Sequence, residues 1–111
     1  MWRRSLQTTV VNKRQQKYDI YIGRGSKWGN PYTHIKGKTK AEFIVGSRDE
    51  SIEKYSEWVR KQPHLMAALH ELKGKRLGCY CRPHRCHGDI LVELIEEMDR
   101  LEEIENFWDT F

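Results

Sequence analysis

No stretch of this chain is apolar for long enough to cross a bilayer, and no apolar signal region follows the opening Met1-Trp2-Arg3-Arg4-Ser5. Both absences lead us to expect a cytoplasmic protein without a membrane partner. Cysteine is scarce and odd in number: there are three in 111 residues, all between Cys79 and Cys86, with Arg82 and Arg85 among them. That pattern suits a reducing compartment better than a disulfide framework. Cys79 and Cys81 are also poor partners for each other, because i and i+2 side chains of a strand lie about 7 Å apart. Acids are nearly missing from residues 1–40, which hold ten Lys or Arg against the single acid Asp19, whereas residues 87–111 hold nine acids against the single Arg100. A basic half rich in Trp, Tyr and Gly is the footprint of an anionic partner, a nucleotide or nucleic acid. The competing reading is that the two halves attract each other, within the fold or between copies.

What is present reads as alternating strands and helices. Thr8–Asn12 is a β-branched run, and Tyr18-Asp19-Ile20-Tyr21-Ile22 alternates with the period of a strand. Ser47-Arg48-Asp49-Glu50 has capping-box spacing, with Ile52, Tyr55, Trp58 and Val59 on one helical face after it. Pro63 breaks that helix or starts another, in which Leu65, Leu69 and Leu72 share a face and Gly74 marks the stop. Arg76–Cys81 reads as a strand, and Ile90, Leu91, Leu94, Ile95, Met98 and Leu101 form the apolar stripe of a last helix whose other face is acidic. The tail beyond it, with Trp108 and Phe111, is aromatic and suits folding back on the core or meeting a partner. The expected fold is α/β: a small single-domain sheet with parallel character flanked by helices, in a Rossmann-like two-layer or three-layer arrangement. Such sheets gather ligands at the carboxyl ends of their strands. The two unusual loops, 23–31 and 82–88, each follow a strand directly, so adjacent parallel strands would bring them to one edge.

In the first loop, Gly23, Gly25 and Gly29 permit positive φ and close backbone approach, so that N–H groups can face an anion. Arg24 and Lys27 add charge, and Trp28 and Tyr32 offer faces for stacking. The loop is not a Walker motif, and Trp28 stands where a dinucleotide fingerprint needs its third glycine. The alternative is a tight turn with Trp28 in the core.

The second loop admits three readings. Cys79, Cys81, Cys86 and His87 are the right donor types for zinc, although their spacing fits no strong zinc pattern and adjacent ligands at 86 and 87 diverge in a helix. Cys81 or Cys86 is a nucleophile in the second reading, its pKa lowered by cationic neighbours and a helix N-terminus, with His87 or His84 as base and Asp89 as orienting group. Cys79 and Arg85 match a tyrosine-phosphatase spacing, but Pro83 stands where those loops carry small residues. In the third, the cysteines are small packing residues and His87-Gly88-Asp89 opens the helix. His34, His64 and His70 have no evident partner.

The strings Val10-Val11-Asn12-Lys13-Arg14, Tyr18–Arg24 and Trp28-Gly29-Asn30-Pro31 resemble the first half of the family named domain of unknown function 4326. Tyr55, Leu72–Leu77 and Cys79-Tyr80-Cys81-x-Pro83-x-x-Cys86-His87-Gly88-Asp89 resemble its second half. The resemblance spans residues 8–96 and leaves the acidic helical tail, 97–111, outside. It implies a small stand-alone domain frequent in bacteriophages and bacteria, with no agreed activity. It also implies that Asn12, Arg14, Gly23, Arg24, Trp28, Gly29, Asn30, Pro31, Cys79, Cys81, Pro83, Cys86, His87 and Asp89 are signature residues. His84 and Arg85 fall outside that set, and Tyr80 stands where Trp is common.

Taken together, these features lead us to expect a site for a phosphate-bearing, nucleotide-like ligand. Arg14, Arg24 and Lys27 would neutralise the anion, and Asn12 and Asn30 would hydrogen-bond a base or sugar. Trp28 would stack, with Gly23 and Gly29 shaping the loop. Cys81, Cys86, His87 and Asp89 would line the reacting end of an enzyme on a nucleotide or nucleic-acid component. No cofactor is expected, zinc being the less favoured alternative. The rival readings are a non-catalytic nucleic-acid-binding or protein-binding phage accessory module and a zinc-stabilised adaptor.

Overall fold

Strand β5 (Arg76–Cys79) is the middle of a three-stranded sheet, with β1 (Thr9–Asn12) on one side and β2 (Ile20–Tyr21) on the other, both parallel to it. The computed structural model describes residues 7–33, 43–82 and 84–109. His34, Pro83 and Phe111 lie outside them, as does the side chain of Trp108. A second small sheet pairs β3 (Tyr32–Thr33) with β4 (Phe43–Ile44), also in parallel. The helices are α1 (Arg48–Arg60), α2 (Pro63–Ala68), which runs on into a 3₁₀ turn at Leu69–Leu72, and α3 (His87–Asp109). The chain is therefore a mixed α/β fold with a small parallel sheet. None of its described helices is long and apolar enough to cross a membrane.

The register places Asn12 opposite Cys79 and Tyr21 opposite Gly78, so all three strands end at one edge. Loops 23–31 and 80–86 both leave from that edge, as the strand order expected. The link from β1 to β2 has only residues 13–19 in which to return to the start of the sheet, too few for a helical crossover. It passes over β5 instead. A Cβ on Gly78 would lie 2.6 Å from Cγ of Tyr18, so only glycine leaves room for that ring. This return explains why the alternating Tyr18–Ile22 pattern yields a strand only at Ile20–Tyr21.

The capping box at α1 forms: Ser47 Oγ accepts from Glu50 N–H, while Glu50 Oε1 reaches back to the Gly46 amide. Ile52, Tyr55 and Val59 face the core from α1, and Leu65, Leu69 and Leu72 from α2 and its 3₁₀ turn, before Gly74 stops the segment at φ 75°. Leu77, Ile22, Trp28, Ile90, Leu91, Leu94 and Ile95 complete that core. The α3 stripe packs only as far as Met98, since Leu101, Ile104 and Phe107 are exposed. Its acids reach back to Arg60 through Glu97 and to Lys73 through Asp99, which are cations from the middle of the chain rather than the basic N-terminal half. Among the described residues that basic half instead uses Lys27 with Glu71, and Asp19 with Arg76.

Candidate functional site

The edge where the parallel strands end carries a cavity of about 350 Å³. Three arginines line it: Arg24 from the glycine loop, Arg48 from the first turn of α1, and Arg85 from the loop before α3. Arg24 spends Nη2 on the Tyr32 carbonyl, and its buried Nε has no hydrogen-bond partner among the described residues. Arg85 lies 3.5 Å from Asp49, a largely exposed acid. Arg48 has no ion-pair partner among the described residues. Tyr21 and Tyr80 stand on the wall with ring centroids 6.2 Å apart, edge to face, and Tyr80 is 47% exposed. Asn30 and Ser51 hold the opposite wall together: Asn30 Nδ2 donates to Ser51 Oγ at 2.9 Å, and Ser51 Oγ donates to the Tyr32 carbonyl.

The rest of the lining is sulfur and imidazole. Cys79, Cys81 and Cys86 all contribute, and their three Sγ atoms lie within 4.8 Å of one another, Cys79 and Cys86 at 3.3 Å. The strand stops at Cys79, so the chain turns before Cys81 and folds its thiol back toward Cys79. That removes the i, i+2 separation expected of a strand running on to Cys81. Thiol hydrogen bonds from Cys81 and Cys86, with backbone amides of Cys81 and Arg82, hold Cys79 well below the usual thiol pKa. The same bonds to Cys79 push Cys81 and Cys86 up. The shared hydrogen bonds thus favour ionisation at Cys79 over Cys81 and Cys86. Cys86 caps α3 instead, its Sγ accepting the Gly88 N–H at 3.3 Å.

His87 is buried, and burial lowers its pKa. Its Nε2 lies 2.6 Å from the Ile22 carbonyl, which can only accept, so Nε2 carries the proton and Nδ1 remains as the acceptor. The Tyr55 ring meets it edge on, at 5.0 Å between centroids, while Tyr55 Oη donates to the Trp28 carbonyl. His87 lines the cavity but stands outside the group formed by the three sulfurs. The four-donor zinc set therefore reduces to three.

Residues 7–97 match the family described as Domain of unknown function (DUF4326). The chain belongs to the DUF4326 family. It is also 37% identical over 89 residues to the "Uncharacterized 12.4 kDa protein in nrdA-td intergenic region" of Enterobacteria phage T4, a span covering 80% of this chain and 78% of that protein. No solved structure matches it.

The residues that the resemblance to DUF4326 singled out divide into those that line the cavity and those that lie around it. Gly23, Arg24, Asn30, Cys79, Cys81, Cys86 and His87 line it. Asn12 holds two loops together: its Nδ2 donates to the Arg82 carbonyl at 2.7 Å and its Oδ1 accepts the Arg14 amide. Its other Nδ2 hydrogen is turned toward the Tyr80 carbonyl at 3.5 Å, so the side chain serves the loops rather than the cavity. Asp89 chelates the Arg82 guanidinium and accepts the Cys86 N–H at 3.0 Å, so it belongs to the start of α3 and makes no hydrogen bond to a histidine among the described residues. Trp28 is 2% exposed and packs in the core, which takes it out of the stacking role. Lys27 pairs with Glu71, and Arg14 lies over the Tyr80 ring at the cavity wall; neither is itself a lining residue. Only Gly25 of the glycine loop has positive φ, and the Ser26 and Gly29 amides close turns on the Gly23 and Ser26 carbonyls rather than facing an anion. Gly29 is small for packing: a Cβ there would lie 3.0 Å from the Arg24 Cα.

Seven lining residues were not among those the sequence pointed to as site residues: Tyr21, Thr33, Arg48, Ser51, Ile52, Tyr80 and Arg85. Arg48 follows the capping serine and so sits where a helix N-terminus opens on the sheet edge, a signal that was available. Tyr21 and Tyr80 became legible only once β2 and β5 were known to be neighbours.

Proposed function

We propose that this chain binds a small phosphate-bearing, nucleotide-like ligand at the carboxyl edge of its parallel sheet. The observation that carries the reading is the convergence of Arg24, Arg48 and Arg85 on one cavity walled by the Tyr21 and Tyr80 rings. Guanidinium groups suit phosphate oxygens in number and geometry, and a ring beside them suits a base. A cavity of about 350 Å³ is at the small end of ligand sites, which favours a mononucleotide-sized molecule. Nδ1 of His87 supplies a neutral acceptor, the group through which an enzyme on a nucleotide or nucleic-acid component would take a proton. A reduced Rossmann-like plan goes with this reading, since such sheets place ligands at this edge.

The test is calorimetric titration with inorganic phosphate and with nucleoside mono- and triphosphates, for the unaltered protein and for Arg48→Ala. Loss of a charged hydrogen bond worth ~1.5–3 kcal/mol weakens binding roughly 10-fold to 100-fold in the variant. Absence of binding to the folded, unaltered protein refutes the proposal.

A second reading has its own observation. Lys13, Arg14, Lys17, Tyr18 and Arg76 line a shallow basic surface, and Lys13 and Arg14 lie over the Tyr80 ring at the cavity wall. That combination of cation and aromatic suits a single nucleic-acid strand. Affinity for an oligonucleotide that falls steeply with salt, and falls again in Lys13→Ala, supports this reading over the mononucleotide one.

A further inference from the structure

We infer that Cys79, Cys81 and Cys86 form a three-thiolate site for a soft divalent ion, zinc, whose fourth coordination position faces the arginine-lined cavity. A tetrahedral zinc ion with Zn–S bonds of ~2.3 Å holds its sulfurs about 3.8 Å apart. Here Cys79 and Cys86 are 3.3 Å apart and all three sulfurs lie within 4.8 Å, so the ion's spacing falls inside the observed range. Rotamer shifts of a fraction of an ångström seat it.

The sulfurs also have the surroundings of ligands. The Gly88 amide donates to Cys86 Sγ at 3.3 Å. Such amide-to-sulfur bonds orient thiolates and stabilise their charge. The elements that carry them are fixed independently: Cys79 by its pairing with Asn12 across the sheet, Cys86 by the start of α3, and the intervening loop by the Asn12 bond to the Arg82 carbonyl. The positions are thus preorganised rather than carried on a free loop.

The fourth position follows from what is absent among the described residues near the sulfurs and what borders them. His87 is committed through Nε2 to the Ile22 carbonyl and lies outside the sulfur group. Three protein ligands with one side open to a cavity is the arrangement of zinc sites that keep an exchangeable position, in contrast to closed four-ligand structural sites. A zinc ion with three thiolates carries a net charge of −1, which the lining arginines outweigh. The inference rests on the sulfurs and does not depend on which anion, if any, the arginines bind.

The experiment uses the full chain, purified under reducing conditions without added metal or chelator, and measures zinc by elemental mass spectrometry. Metal-free protein is then titrated with Co²⁺ alone and followed by absorbance, with Zn²⁺ added in competition. One equivalent of zinc per chain, a thiolate-to-cobalt charge-transfer band and its removal by Zn²⁺ are the expected results. Cys81→Ser is the variant of choice, because Cys81 is half-buried whereas Cys79 and Cys86 belong to the core. It retains the far-ultraviolet circular dichroism of the parent and loses Zn²⁺ affinity by about 100-fold or more, beyond what outer-shell changes cost. His87→Gln keeps the stoichiometry and the cobalt band. Substoichiometric metal with no cobalt band in folded protein overturns the inference. So does a Cys79–Cys86 disulfide that forms in air in preference to metal binding, read as a loss of two hydrogens by mass. Closed four-ligand coordination through His87, shown by a changed band in His87→Gln, overturns the open position.

Discussion

Asp89→Asn separates a structural carboxylate from a functional one. Oδ1 of Asp89 meets Arg82 Nη2, and Oδ2 accepts from both Arg82 Nη1 and the Cys86 backbone amide. Asparagine keeps the shape but replaces one oxygen by an NH₂ group. If that group takes the Oδ1 position, it faces Arg82 donor to donor; if it takes the other, it faces both Arg82 and the Cys86 N–H. Either way one arm of a bidentate pair becomes a clash, and the negative charge at the first turn of α3 is lost. The charge at the helix start is worth ~0.5–1 kcal/mol. The pair is about one-third exposed on each side, at 31% and 27%, so solvent screening limits its share to ~1–2 kcal/mol. The expected destabilisation is about 2 kcal/mol, read as a lower urea midpoint at unchanged slope and as a Tm lower by about 8 °C. A double-mutant cycle with Arg82→Ala and Asp89→Ala should show a coupling of about 1 kcal/mol or more. Full stability in Asp89→Asn together with lost ligand binding would refute this assignment and return Asp89 to the ligand.

Three further outcomes are expected. Asn12→Ala removes the link from β1 to the Arg82 carbonyl and lowers stability by about 1–3 kcal/mol in urea unfolding, and Asn12→Asp is at least as harmful because its carboxylate faces that carbonyl. Gly88→Ala places a Cβ 2.8 Å from Ile22 Cδ1 and 2.9 Å from Val10 Cγ2, so overpacking of ~1–3 kcal/mol exceeds the gain in helix propensity of about 1 kcal/mol, and a raised melting temperature would show that α3 shifts freely on the sheet. The buried His87 has a lowered pKa in the folded state, so the unfolded chain takes up its proton first; in metal-free protein, stability is complete above the unfolded value of about 6.5 and declines below it by at most ~1.4 kcal/mol per pH unit. His87→Gln, which does not titrate, should flatten that decline between pH 7.5 and 5.5 in paired urea denaturation curves.

Much of the fold was legible because local signals and burial agreed. Ser47 and Glu50 announced α1, Pro63 and Gly74 bracketed the next helical segment, and the apolar stripe from Ile90 to Met98 set the inner face of α3. The misses share one physical cause, which is that a neighbour distant in sequence decided the local outcome. Tyr18 has strand periodicity but serves the return over Gly78. Leu101 continues the stripe in sequence, yet α3 has by then run past the rest of the fold, and the residue is 62% exposed.

Half of the cavity lining was legible in the sequence and the roles were not, and the same cause explains why. A signature polar residue at a strand end has two uses, to meet a ligand or to hold the loops that do. Asn12 and Asp89 take the second because the backbone of residues 82–86 arrives beside them with unpaired groups: the Arg82 carbonyl for one, the Cys86 amide for the other. Leaving either group buried without a partner would cost about as much as the ligand contact would gain. Trp28 follows the same logic, since its ring completes a core that a chain of 111 residues can scarcely spare. Removing these three from the ligand's neighbourhood leaves, at that edge, the Arg24 Nε and an Arg48 without an ion-pair partner among the described residues, and three sulfurs close enough to share one ion. It is these groups that direct both the anion and the metal experiments.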